Sequence, residues 1–293
     1  MAIIVSIVPV AAQAQGEIKV WPTRIELTVE KGEKNERSVN IENKGNESIQ
    51  VHMYGMDFTV DSNGSYRFTE PGHENYSAST WLYVEETDFE LLPLEHREIR
   101  IGISVPSDVE PGGHYAALFV EAIPSTEQRG VAISTRIPSL FYITTSDASN
   151  EIIVADADII SLILPRYIEK GPADIGAIVR NSGNVHLDIA AKAHLIDSWG
   201  RSSEVDMGQV IVLPNSERAV ACEWREAPFF GRVRTSIIIG YFNQQEELTN
   251  KSHVGDFWIV PWKAILVIGA GLCLIGLAIW TLSRRYYLRI ERK

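Results

Sequence analysis

The stretch AILVIGAGLCLIGLAIWTLS, Ala264 to Ser283, carries no charged residue. At about 1.5 Å rise per residue a helix of this length extends roughly 30 Å, the thickness of a bilayer's hydrocarbon core. A helix apolar on every side has no face to offer water, and soluble cores seldom hold so long an uncharged run. A membrane span over 264–283 is therefore expected. Trp258, Trp262 and Trp280 sit near its two ends, where amphipathic rings favour the headgroup region. Arg284, Arg285, Arg289, Arg292 and Lys293 follow it, opposed only by Glu291. Positive charge stays on the cytoplasmic side, so the tail 284–293 is expected inside and the preceding chain outside, in a single-pass cell-membrane protein.

Working outward, Met1 to Val10 is apolar and Ala12-Gln13-Ala14 has the small-x-small form of a cleavage site. Residues 1–14 read as a secretory signal whose basic n-region is missing. What remains, Gln15 to Val260, is long enough for two ordinary domains. The chain carries a formal net charge of −11, and its basic tail makes the rest more acidic still. Such a surface does not neutralise phosphates, so nucleic acid is excluded as a partner. The two cysteines, Cys222 and Cys273, fall in the ectodomain and in the span, so they cannot pair, and no CxxC metal site exists.

The ectodomain alternates with period two almost throughout. Arg24 to Val29, Arg37 to Glu42, Ile49 to Val60, Arg97 to Val105 and His114 to Ile123 read as strands, and Trp81 to Val84 and Phe89 to Leu92 as shorter ones. Val131 to Thr144 closes the first unit. Lys31-Gly32, Asn43-Lys44-Gly45-Asn46, Asp61-Ser62-Asn63-Gly64 and Pro111-Gly112-Gly113 supply turns. Short strands at this spacing specify an all-β fold of sandwich type.

The pattern recurs. Asn43-Lys44-Gly45-Asn46 returns as Asn181-Ser182-Gly183-Asn184, and Leu92-Pro93 with Arg97 returns as Leu213-Pro214 with Arg218. Gly113 before an apolar strand returns as Gly231. Two tandem Ig-like β-sandwich domains, 15–146 and 152–260, account for all three matches. The first copy is longer between its motifs, which places an insertion at Asp61 to Thr80.

Trp21-Pro22-Thr23-Arg24-Ile25-Glu26-Leu27, Tyr54-Gly55-Met56-Asp57-Phe58, Ser77-Ala78-Ser79-Thr80-Trp81-Leu82 and Pro111-Gly112-Gly113-His114-Tyr115 follow one another in the first unit. In that order they resemble the membrane-anchored companion proteins of the Gram-positive WxL cell-surface system. The resemblance implies an Ig-like peptidoglycan-binding domain, a second Ig-like domain for a host or protein partner, one span and a basic tail. More loosely, the first unit resembles the N-terminal domain of pilus-type periplasmic chaperones.

Little in the chain calls for catalysis, and it is not read as an enzyme. Asp61-x-Asn63-x-Ser65 opens like a calcium loop, but Tyr66 and Gly72 stand where glycine and glutamate belong, so a hairpin turn is expected. His186 and His194 lie too far apart along one strand to share a metal. No nucleophile elbow, Walker loop or zinc-protease motif occurs, and no cofactor is implied. Trp81 reads as a core residue and Trp199 as a turn residue closing the end of a sandwich. The insertion carries Tyr66, Phe68 and Tyr76 in a polar context, which makes these three the candidate ligand contacts, with Tyr76 as a rigid anchor. The expected function is a surface-anchored binding or scaffold protein for cell-wall polymer or another surface protein. The alternatives are a chaperone-like assembly factor acting by β-augmentation and a membrane-tethered hydrolase, which would need converging carboxylates or a metal.

Overall fold

Period-two alternation becomes antiparallel pairing along nearly the whole chain ahead of the terminal helix. The computed structural model describes residues 18–124, 134–146, 153–243 and 247–290, so the expected signal at 1–14 lies outside the described residues. Two compact units emerge. Unit 1 takes Met1–Asp156 with the stretches Ser182–His186 and Leu213–Ser216; unit 2 takes Ala157–Asn181, Leu187–Val212 and Glu217–Lys293.

The strands of unit 1 are β1 (Ile18–Trp21), β2 (Arg24–Glu30), β3 (Lys34–Asn43), β4 (Ile49–Val60), β5 (Tyr66–Thr69), β6 (Leu82–Val84), β7 (Asp88–Leu91), β8 (His96–Ser104), β9 (Gly112–Pro124) and β10 (Thr135–Ser146). One sheet runs β1-β3-β8-β6; the other runs β2-β10-β9-β4, with β5 and β7 both on β4. Each strand turns its apolar alternation inward: Ile25, Leu27 and Val29 from β2, Val39 and Ile41 from β3, Ile101 and Ile103 from β8, Phe141 and Ile143 from β10. Trp81 joins this core as expected, from a 3-10 turn at Ser79–Trp81 rather than from a strand.

Unit 2 repeats the plan with β11 (Ala157–Ile163), β12 (Tyr167–Ile168), β13 (Ala173–Asn181), β14 (Leu187–Ile196), β15 (Ser202–Val212), β16 (Glu217–Trp224), β17 (Gly231–Phe242) and β18 (Leu248–Ile259). Its sheets run β11-β13-β16 and β12-β18-β17-β14-β15. In both units the first strand is split between sheets: β1 pairs with β3 and β2 runs parallel to β10, as β11 pairs with β13 and β12 runs parallel to β18. The units differ between β4 and β8, where unit 1 holds β5, the 3-10 turn, β6 and β7 in place of β15. The stretch 61–80 lies in that segment.

The repeated motifs occupy equivalent strand ends. Asn43 closes β3 and Asn181 closes β13, and both are fully buried. Each Leu-Pro pair forms a tight turn, with Glu95 N donating to Leu92 O (3.1 Å) and Ser216 N to Leu213 O (3.3 Å). Proline fits the second turn position, and the third needs a left-handed backbone. Leu94 (φ 59°) and Asn215 (φ 53°) occupy it. The glycine match shifts by one residue, since Gly112 (φ 138°) and Gly231 (φ 127°) open β9 and β17 in the same unusual conformation, not Gly113. Asparagine tolerates the left-handed region and leucine does not. Leu94→Asn is therefore expected to stabilise the chain by about 0.5–1 kcal/mol, read as a raised denaturant midpoint; an unchanged or lowered midpoint would contradict this.

After β18 only Val260 and Pro261 precede α1 (Trp262–Ile290). Over Trp262–Arg284 the helix has a mean hydropathy of 2.5 with none of its apolar window buried, so it is long and apolar enough to cross a membrane.

Candidate functional site

One end of β10 is paired on a single side. Along β9 the ladder runs from Thr135↔Ala122 to Thr145↔Gly112, but β2 joins only at Arg24↔Leu140. Leu140 N donates to Thr23 O (2.9 Å), and Ser139 Oγ donates to Pro22 O just where β2 departs. Peptide groups alternate sides along a strand, so Arg136 and Pro138 face the same way as Leu140. Arg136 turns its N–H and C=O, and Pro138 its C=O, toward a side with no paired strand among the described residues. Proline in a strand is confined to such edges, which makes Pro138 the local signal that the sequence reading passed over. The matching edge in unit 2, β18, meets β12 only at Tyr167↔Trp258 and Ile168↔Ile259. There β11 reaches over, with Asp158 accepting from Lys251 Nζ at 2.8 Å.

The outer face beside the open half of β10 is lined with rings. Register places Tyr54, Phe119 and Pro138 in one row and His52, Glu121 and Arg136 in the next. Tyr54 stacks on Phe119 (5.5 Å, 11°) and His52 on Tyr54 (5.3 Å), while Phe68 meets Phe119 edge-on at 4.8 Å. Tyr66 lies parallel to Phe68 (6.2 Å, 12°). Arg136 Nε reaches Glu121 Oε1 at 3.1 Å. Tyr54 and Phe119 escaped the sequence reading because cross-strand neighbours are not sequence neighbours.

The three candidate contacts are thus placed differently. Tyr66 is 42% exposed on β5, and Phe68 is half-buried in the ring row. Tyr76 is half-buried, with its ring edge-on to Tyr115 (6.4 Å) and its hydroxyl accepting from Asn215 Nδ2 (2.6 Å). The turn that carries it is tied down by Asp57, which is fully buried. Its carboxylate accepts from His73 N (2.8 Å), Glu74 N (3.1 Å), Ser77 Oγ (2.6 Å) and Ser79 Oγ. The segment 61–80 is accordingly a hairpin and a pinned turn folded onto the sheet.

Asp61 Oδ1 accepts from the N–H groups of Asn63 and Ser65, both at 2.9 Å, so the calcium-like motif is a side-chain-closed turn. Among the described residues no group of three or more His, Cys, Asp or Glu could hold a metal. Trp199 is 60% exposed rather than folded over the sandwich end. Of the topology residues, Arg284 lies over the Trp280 ring at 4.6 Å, Arg285 and Arg289 belong to α1, and Arg292 and Lys293 lie outside the described residues.

His114 is buried beside Trp81 (4.7 Å), with Nε2 donating to Glu110 O at 3.0 Å. Burial pushes its pKa below the ordinary 6.5. A depressed histidine pKa means that the unfolded chain takes up the proton first as pH falls. Stability from this site is fully present above about pH 6.5 and declines below it. His114→Gln is expected to flatten that acid-side slope in unfolding measurements; an unaltered slope would contradict this.

No family model matches the chain, and no curated protein does. Solved structures similar to it include the class 5 fimbriae chaperone CfaA, at 14% identity over 83% of this chain and 99% of that one, TM-score 0.44. The chaperone YadV is 12% identical over 81% of this chain and 99% of that one, TM-score 0.43. The E. coli chaperone DraB is 12% identical over 83% and 97%, TM-score 0.41.

Proposed function

We propose that this chain is a membrane-tethered, non-enzymatic binding protein that holds an extended segment of another exported polypeptide along the open half of β10. The observation that carries this reading is the one-sided pairing of Thr135–Ser139. A strand laid there gains the backbone groups of Arg136 and Pro138, and its alternate side chains fall beside Pro138, at the end of the row that continues to Phe119 and Tyr54. Such a grip suits a scaffold or an assembly factor. Carboxylates elsewhere on the sheets answer to basic partners across strands, as in Arg232–Asp256 (2.9 Å) and Lys192–Glu204 (2.8 Å), an arrangement of sheet surfaces rather than of acid–base chemistry.

The test compares two substitutions in the full-length chain, tagged and recovered from its own membranes with associated polypeptides. Arg136→Pro removes the edge N–H and is expected to lower partner recovery about tenfold, the scale of one lost interfacial hydrogen bond. Arg136→Gln keeps the N–H and is expected to recover nearly as much as the unaltered chain. Equal recovery with both would sink the reading. Both units then lie outside and the tail inside: in a Cys222→Ala, Cys273→Ala background a membrane-impermeant thiol reagent should label a cysteine placed at Asn63 and spare one appended after Lys293. The reverse pattern would contradict the orientation.

A second reading, cell-wall polymer as the WxL resemblance implies, is favoured by the exposed Tyr66 ring stacked on Phe68, since sugar faces pack on aromatic rings. It would be supported if Tyr66→Ala, and not Arg136→Pro, released the chain from purified peptidoglycan. It fails if Tyr66→Ala is retained as well as the unaltered chain.

A further inference from the structure

The end of unit 2 from which α1 departs collects exposed aromatic side chains. Register fixes this end: Gly231 pairs with Ile259 at the start of β17, Tyr167 with Trp258, and Ile196 with Ser202 beside the β14–β15 turn. Phe229 (72% exposed), Phe230, Trp199, Tyr167 and Trp258 all lie there. Among the described residues of unit 2 ahead of α1, the remaining exposed aromatic is Phe242, at the far end of β17 opposite Leu248. A soluble end loop has no physical reason to expose that much ring surface on one side of a domain.

Two further observations name what covers it. Val260 and Pro261 are the whole link between β18 and α1, and Ile265 N already donates to Pro261 O at 3.0 Å. Two extended residues reach about 7 Å, so the helix entrance lies within a side chain's length of these loops. In addition Arg166, Tyr167, Trp258, Val260 and Trp262 line an open cleft of about 490 Å³ at the junction. Lys263 stands beside it, 2.8 Å from Glu169 and over the Trp262 ring at 5.4 Å. Tryptophan and tyrosine rings with basic neighbours partition into the headgroup layer of bilayers, and exposed phenylalanine inserts just below it.

We infer that this aromatic end of unit 2 is a membrane-docking surface that rests in the headgroup layer of the bilayer crossed by α1. The inference rests on α1 being a span. Trp199, Phe229 and Phe230 then act as shallow anchors, and Tyr167, Trp258 and Trp262 continue the belt around the helix entrance. Docking of this kind holds unit 2 at a fixed tilt to the membrane instead of letting it swing on its link.

The test uses the full chain in phosphatidylcholine vesicles with a minor share of phosphatidylglycerol. With Cys222→Ala and Cys273→Ala as background, single cysteines at Phe229, Trp199 or Phe242 carry a fluorophore, and lipids bearing a nitroxide at the headgroup or high on the acyl chain act as quenchers. Shallow quenching at 229 and at 199 is expected to exceed that at 242 by about threefold or more. Equal quenching at 229, 199 and 242 would overturn the proposal. So would protection that follows the protein-to-lipid ratio rather than the quencher, which would put a second copy of the chain on this end. Alkaline extraction of the same vesicles separates the two levels. A chain that washes off refutes the span; one that stays but shows no quenching at 229 and 199 refutes the docking surface alone.

Discussion

Replacing Asp57 by alanine is expected to destabilise unit 1 by about 4 kcal/mol. The carboxylate is fully buried and accepts four hydrogen bonds from one short turn. Hydrogen bonds to a charged group contribute about 1.5–3 kcal/mol each, and their sum is not additive because the turn relaxes once untied. What makes the loss large is the donors left behind: Ser79 is itself buried and has no water to turn to. Asp57→Asn keeps the shape and one acceptor but points an amide at N–H donors, so roughly half the loss is expected. Denaturant unfolding of the full chain in detergent measures both, and amide exchange should quicken first over residues 70–80. A loss below about 1 kcal/mol for the alanine variant would mean that the turn is held by something else.

Asn43→Ala is expected to cost about 3 kcal/mol. Nδ2 donates to the carbonyls of Glu47 (2.8 Å), Leu91 (3.2 Å) and Leu92 (3.1 Å), and Oδ1 accepts from Gly45 N (2.9 Å). One side chain thereby joins the end of β3, its own turn and the end of β7. Its counterpart Asn181 donates to Val212 O at 2.9 Å, the carbonyl just before Leu213-Pro214. Asn181→Ala should therefore lower the stability of the chain in the same direction. If neither substitution moves the unfolding midpoint, the shared motif is a coincidence of turn residues and not a fold determinant.

The asparagine pair shows which parts of the structure are legible in sequence. Both motifs are local: an Asn-x-Gly turn at one strand end and a Leu-Pro turn at another, each specified by backbone chemistry over four residues. Strands such as Ile49–Val60 and the terminal apolar helix are legible for the same reason, since a period or an unbroken apolar run is visible within one window. The segment 61–80 reads as a polar loop because its four-residue strand Tyr66–Thr69 is too short to show a period. The way it folds back onto the sheet depends on Asp57, in another element. The open half of β10 is less legible still. It results from where β2 begins to pair, Arg24 against Leu140, a contact across most of unit 1. Pro138 is a local hint of an edge, but no sequence rule says how long the edge is. The ring row of Tyr54, Phe119 and Phe68 likewise exists only once three strands are in register.

Site-specific photo-crosslinking in intact cells reads directly whether another polypeptide lies along the first half of β10. A photoreactive amino acid replaces Arg136 in the full-length chain, with comparison sites at Arg100, whose side chain is 80% exposed on β8, and at His253 on the β18 edge. A discrete crosslinked polypeptide is expected from position 136 and none from position 100. Adducts from position 253 but not 136 would move the grip to unit 2. Adducts at 136 containing only glycan or lipid, or none at all, would contradict the account.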